Sequence, residues 1–178
     1  MRIISGEYKG RRIVAPKNLP IRPTTDRAKE SLFNILNNHF HFPEVSVLDL
    51  YTGSGSISYE FASRGSKSIH AVDQNYPVIR FVKKITKDFD FPIIAIKKEA
   101  LKFLSTTNNS YDIIFADPPY DIDKAQLDKL IETVFERKLL LDDGFLIVEH
   151  VKAYTFDTYA NFDFSRKYGL TVFSFFKN

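Results

Sequence analysis

Hydrophobic positions in this chain follow two periods, and their alternation sets out the fold. Short apolar runs at 45–50 (VSVLDL), 68–73 (SIHAVD), 92–97 (PIIAIK), 111–116 and 144–150 (GFLIVEH) read as buried strands. Between them come helical stripes. Ile57 to Arg64 forms a short helix with Gly65 as its stop. Val78, Phe81, Val82, Ile85 and Phe89 mark a longer one, Leu101, Phe103 and Leu104 a short one, and Leu127, Leu130, Ile131, Val134 and Phe135 the last. Residues 154–162 suit a further short helix. DFSRKYGLTVFSFFK suits two strands about a turn at Tyr168-Gly169, with Phe173, Phe175 and Phe176 in the core.

Upstream the pattern differs. Residues 2–5 and 11–14 are short apolar runs around a glycine-bounded loop and predict a small β-hairpin with a basic tip. Pro16, Pro20 and Pro23 keep 15–23 extended. Thr24, Thr25 or Asp26 then caps a helix whose inner stripe is Ala28, Leu32, Ile35 and Leu36, with Arg27, Lys29 and Glu30 off it. The expected organisation is an N-terminal extension over 1–40 packed on a main domain over 41–178. Alternating strands and helices imply an α/β fold: a doubly wound, mostly parallel, Rossmann-like sheet of seven strands. In the order 3-2-1-4-5 the first and fourth strands are neighbours, and ligands bind beyond the carboxyl ends where the order reverses.

Composition narrows the class. The chain has 178 residues, 44% of them hydrophobic and 26% charged, as a soluble globular domain does. No apolar run approaches a membrane span, and MRIISGEYKGRR lacks the apolar centre of a signal peptide, so the cytosol is the expected compartment. Without cysteine there is no disulfide or thiolate metal site. His39, His41, His70 and His150 are scattered, as helix-end or loop histidines are, and no metal is expected. Residues 1–30 hold eight Lys/Arg against three Asp/Glu, a net of +5, while the remainder is at −2. A basic segment confined to one end suits contact with a phosphate backbone, with Lys9, Arg11, Arg12, Arg22, Thr24 and Arg27 as candidates.

Two stretches carry the chemistry. In DIIFADPPYD the strand ends at Asp117, and Pro118 and Pro119 cannot donate to a ladder. A carboxylate, free carbonyls and the ring of Tyr120 then stand at a strand tip and suit a planar base with an exocyclic amine. The second stretch, Asp49-Leu50-Tyr51-Thr52-Gly53-Ser54-Gly55-Ser56, is a strand-to-helix glycine turn. Asp73 ends the next strand, 20 residues beyond Gly53, where an acid accepts ribose hydroxyls. A nicotinamide fingerprint would need a third glycine at Ser58, and Asp49 at the strand tip would repel a pyrophosphate. Asp49 suits a cationic end, such as the ammonium of a methionine moiety, which favours S-adenosylmethionine.

These motifs resemble the class I methyltransferases that act on exocyclic amines. MRIISGEYKGRRIVAP, IRPTTDRAKESLFNIL and LDLYTGSGSISYEFASRG, with D-P-P-Y downstream, resemble the bacterial 16S ribosomal RNA guanine-N2 methyltransferase family from residue 1 to about 176. The resemblance implies that Asp117, Pro118, Pro119 and Tyr120 hold the guanine. It implies that Asp49, Tyr51, Gly53, Ser54, Gly55, Asp73, Gln74, Glu99, Ala100 and Asp117 bind S-adenosylmethionine. It further implies that the basic N-terminus meets 16S ribosomal RNA, free or within a small-subunit particle, and that the protein works as a cytoplasmic monomer. Three departures stand out. Tyr51-Thr52 replaces the usual Phe-Ala, Ser58-Tyr59 replaces a Gly-hydrophobic pair, and Glu99 replaces an aspartate that contacts the adenine amine. Two alternatives remain. A DNA adenine-N6 methyltransferase shares D-P-P-Y but normally carries a target-recognition insertion, for which there is no room here. A non-catalytic RNA-binding assembly protein on an inherited fold would not need Asp49, Gly53, Gly55 and Asp117.

Overall fold

The computed structural model describes residues 1–17, 19, 25–169 and 171–178. Seven strands form one sheet in the order β3-β2-β1-β4-β5-β7-β6. They are β1 (Ser46–Leu50), β2 (Ser68–Asp73), β3 (Ile93–Lys97), β4 (Tyr111–Ala116), β5 (Leu140–Val151), β6 (Phe162–Tyr168) and β7 (Thr171–Phe176). The first five are parallel; β7 and β6 join antiparallel at the edge. This is the doubly wound, Rossmann-like arrangement, and chain order reverses between β1 and β4.

Among the described residues five α-helices cover the sheet: α1 (Asp26–Leu36), α2 (Ser56–Ser63), α3 (Tyr76–Phe89), α4 (Ala100–Thr106) and α5 (Lys124–Glu136). Side chains alternate across a strand, so each strand feeds two cores. Val47, Ile69, Ile113 and Phe115 face α1, α2 and α3. Leu48, Leu50, Val72, Ile114 and Ala116 face α4 and α5. Asp49 shares the parity of Val47, so its carboxylate points toward α2. Phe173, Phe175 and Phe176 are fully buried, as expected. Thr25 caps α1, accepting from Ala28 N, and Gly65 ends α2 at φ +100°. Pro20 and Pro23, expected to keep the approach to α1 extended, lie outside the described residues.

The N-terminal hairpin forms, and four other expectations need correction. Residues 2–5 and 11–14 pair antiparallel: the Arg2–Arg12 bridge is flanked by Ile13 N to the Met1 carbonyl (3.0 Å) and Ile3 N to the Arg11 carbonyl (3.0 Å), a short hairpin. Donors on its outer side and in its loop go to α2. Ile4 N donates to Glu60 Oε1 (2.7 Å), Tyr8 N to Ser63 Oγ (3.0 Å) and Glu7 N to the Ser63 carbonyl (2.8 Å). Gly6 lies so close that a β-carbon would sit 1.8 Å from that carbonyl. Residues 154–162 form no helix: 157–161 are turns and Phe162 opens β6, and the segment is pinned by the buried ring of Phe156 against His150 and Phe176. His70 and His150 lie within strands, bonded to the Tyr111 and Ser174 hydroxyls. β5 starts four residues before the apolar run, because Leu140 pairs with Tyr111 ahead of a register irregularity.

The fourth correction concerns Lys29, expected off the buried apolar stripe of α1. It is 1% exposed. Its Nζ lies 3.0 Å from Glu60 Oε1 and donates to the Arg2 carbonyl at 2.6 Å, while Arg64 pairs with the other Glu60 oxygen. This buried network joins α1, α2 and the N-terminal loop. Removing one member strands a buried charge, which costs several kcal/mol. Lys29→Met should lower stability by about 3 kcal/mol, read as an earlier midpoint in urea denaturation followed by circular dichroism. An unchanged midpoint would mean that the network contributes nothing.

Candidate functional site

The pairing of β1 with β4 aligns Leu50 with Ala116. One further bond, Asp117 N to the Leu50 carbonyl (3.3 Å), carries the contact past the strand ends. There Pro118 and Pro119 stop the ladder. The glycine turn and the D-P-P-Y quartet therefore open into one cavity of about 680 Å³. Its walls include Asp49, Tyr51, Thr52, Gly53, Ser54, Asp73, Gln74, Asp117, Pro118, Pro119 and Tyr120. Among the described residues no lysine, arginine or histidine lines it, while three aspartates do. Such a space is of the size that small-molecule sites have, and its charge suits a cationic ligand.

Asp49 is 2% exposed. Its Oδ2 accepts from Ser58 Oγ (2.6 Å), Thr52 Oγ1 (2.7 Å) and Ser58 N (3.2 Å). Burial pushes the carboxyl up to about 6, opposed by these bonds and aided slightly by the charge of Asp73. Asp73 accepts from Gly53 N through Oδ2 (3.2 Å) and from Asn75 N through Oδ1 (2.8 Å), which ties the glycine turn to the tip of β2. Its pKa too is raised by burial. Tyr51 begins the turn in the left-handed region, at φ 59°, unusual for a bulky residue. Gly55, at φ +80°, caps α2; a β-carbon there would lie 2.5 Å from the Tyr59 ring. At the other tip Tyr120 is 44% exposed, and its hydroxyl lies 3.2 Å from Thr171 Oγ1 on β7.

Three of the expected cofactor residues do not line the cavity. Gly55 acts through the backbone of the turn, and Ala100 is buried in α4. Glu99 caps α4, accepting from Leu101 N (2.9 Å) and Lys102 N (3.2 Å) through its two oxygens. Thr52 and Ser58, which hold Asp49, were not foreseen as site residues, although the departures from the family pattern had marked both positions. The basic candidates separate in space. Lys9 lies in the loop whose Tyr8 hydroxyl bonds the Phe89 carbonyl (3.0 Å), near the amino ends of the strands and away from the cavity. Arg12 lines a separate hollow with Met1, Arg2 and Asp26, at the first turn of α1. Arg11 and Arg27 are exposed. Arg22 and Thr24 lie outside the described residues.

Known proteins share this architecture. A family model described as "Conserved hypothetical protein 95" matches residues 1–177. "Putative rRNA methyltransferase YlbH" of Bacillus subtilis is 34% identical, covering 99% of this chain and 98% of its own. "Ribosomal RNA small subunit methyltransferase D" of Haemophilus influenzae is 32% identical, covering 85% and 79%. Among solved structures, "Putative methyltransferase yhhF" of Escherichia coli superimposes with a TM-score of 0.87 at 25% identity, over 100% of this chain and 97% of that one.

The burial of Asp49 has a stability consequence. Its folded pKa is raised, so its ionisation opposes folding: below the unfolded value, near 4, both states are protonated, and stability is lost as the pH rises toward 6. Asp49→Asn, which keeps an acceptor for Thr52 and Ser58, should make the ligand-free protein more stable at neutral pH by about 2 kcal/mol. The advantage should shrink toward pH 4. Thermal melts across that range test it; a variant less stable than the parent at neutral pH would show the charge to be a net stabiliser.

Proposed function

This chain belongs to the conserved hypothetical protein 95 family, with the small-subunit ribosomal RNA methyltransferases D as relatives and a class I methyltransferase fold. From that premise we propose that it transfers a methyl group from S-adenosylmethionine to the exocyclic N2 amine of a guanine in 16S ribosomal RNA. The observation that carries the reading is the cavity between the tips of β1 and β4. It has carboxylates and no described cation on its walls, and D-P-P-Y at its rim. That favours a sulfonium donor with an ammonium end over a dinucleotide, whose pyrophosphate Asp49 would repel. Asp49 is the candidate acceptor for the ammonium. Asp73 has lone pairs to spare for ribose hydroxyls beside its two backbone bonds, and Gly53 lets a ligand approach the main chain.

The bound donor supplies an activated methyl carbon. The residues of this chain prepare the nucleophile. A guanine amino nitrogen is weak because its lone pair is delocalised into the ring. The Asp117 carboxylate and the Pro118 carbonyl, accepting its two hydrogens, localise that pair toward the cavity. Asp117 then takes the proton that leaves, and need not be a strong base, since methylation makes the nitrogen acidic. Tyr120 provides the stacking surface, its ring steadied from β7 by Thr171. Alignment contributes much of the rate, since reacting atoms must approach to about 3–3.5 Å. The target base must first be unstacked, at lower cost in a loop or end than in a duplex.

Asp117→Ala should keep cofactor affinity within about threefold while turnover falls by at least about a hundredfold. Calorimetry and a tritiated-methyl transfer assay separate the two, and near-parental turnover would refute the role. Neutralising Arg11 and Arg12 together should weaken RNA binding and flatten its dependence on salt by about two counterions. Filter binding over a salt series reads the slope; an unchanged slope would remove these residues from the RNA surface. Mapping N2-methylated guanines in 16S ribosomal RNA from cells with and without the gene tests the substrate itself.

A further inference from the structure

A buried carboxylate can present either oxygen, or neither, to a ligand, and at Asp49 the choice is built in. Oδ2 takes three donors from two elements: Thr52 in the glycine turn, and both the amide and the hydroxyl of Ser58 on α2. Among the described residues no donor reaches Oδ1, and the residue lines the cavity. The two hydroxyls lie 3.5 Å from each other, so they act on one oxygen as a pair. Both are buried, Thr52 at 7% and Ser58 at 0% exposure, so water cannot replace them cheaply.

We propose that Thr52 and Ser58 are positioning residues for methyl-donor binding: their hydroxyls occupy Asp49 Oδ2 and so leave Oδ1 alone to receive the donor's ammonium group. The proposal rests on the methyltransferase reading and adds to it a specific device of this chain. Thr52 and Ser58 supply both hydroxyls.

The device is needed because burial and the charge of Asp73 work against the ionisation of Asp49. Asp73 faces it from β2, and Asp117 lines the same cavity from the tip of β4. Tyr59 on α2 is 1% exposed, its hydroxyl has no hydrogen-bond partner among the described residues, and its acidity is suppressed by burial and by Asp49. Tyr51, at the start of the turn, is likewise held protonated. Hydrogen bonds to a charged acceptor are worth more than neutral ones, so losing one favours the protonated acid. Protonated Asp49 has no charge to offer an ammonium.

The test uses S-adenosylhomocysteine, which carries the same amino-acid end, measured by calorimetry from about pH 5 to pH 8 on the full chain. The unsubstituted protein should lose affinity as the pH falls through about 6. In Ser58→Ala and Thr52→Ala the loss should begin at higher pH, leaving affinity near pH 6.5 about tenfold lower. By pH 8 the deficit should shrink to about threefold. Thr52→Ser keeps the hydroxyl and should follow the parent. Carbon-13 titration of the Asp49 carboxyl in ligand-free protein should show the same upward displacement in both alanine variants. The variants lie on different elements, so misfolding of one leaves the other to decide. A deficit equal at every pH, no deficit, or an unmoved titration would overturn the proposal. No binding by the unsubstituted protein would overturn the methyltransferase reading itself; binding by the parent with superimposable variants would overturn this proposal alone.

Discussion

Four residue pairs between β1 and β4 hold the working part of this molecule together. Parallel neighbours place their carboxyl ends at the same edge of the sheet, and the reversal of chain order sends the segments beyond them away to opposite faces. The chain leaving β1 turns toward α2. The chain leaving β4 cannot re-enter the ladder, because Pro118 and Pro119 have no N–H to give. The gap between these diverging segments is the cavity. Asp117 N, bonded to the Leu50 carbonyl, is its floor. A shift of β4 by one residue would turn its apolar set to the wrong layers and carry Asp117 off the tip.

α2 is the element through which the rest of the chain bears on that gap. Its first residues form the wall behind Asp49, and its last receive the N-terminal loop. Ser58 points to the site, while Glu60 and Ser63, further along the same helix, hold Lys29, Ile4, Ser5 and Tyr8. The N-terminal loop therefore braces the helix that shapes the glycine turn. Its tip reaches the amino ends of the strands, where Tyr8 packs edge-on against Phe89 and Phe91.

Charge at the site is kept at a cost. Three aspartates line one cavity, and two of them, Asp49 and Asp73, are raised by burial. A protein selected only for stability would not collect them there. A cationic ligand reverses the balance, because each carboxylate that opposes folding in the free protein then faces an opposite charge. Stability and ligand binding thus draw on the same groups with opposite sign.

How much of this was legible in the chain depends on the range of each interaction. Period-two and period-3.6 patterns are local, and they placed the strands, most helices and the two tips, with Asp49, Gly53, Asp73 and Asp117 at the ends of runs that could only be buried strands. The proline pair is equally local, and it marked the end of β4 before any neighbour was known. Lys29 was misplaced because its partner lies 31 residues away on α2, and a lysine beside an apolar stripe looks solvated until that acid is seen. The helix over 154–162 failed for the same reason: the sheet edge claimed the ring of Phe156, which local spacing could not foresee. Glu99 showed its acid but not its use as a helix cap. By itself the sequence determined which residues stand at the strand ends, since periodicity needs no partner. Only the tertiary structure decided which oxygen of Asp49 is occupied by donors, because that depends on how two separately folded elements meet.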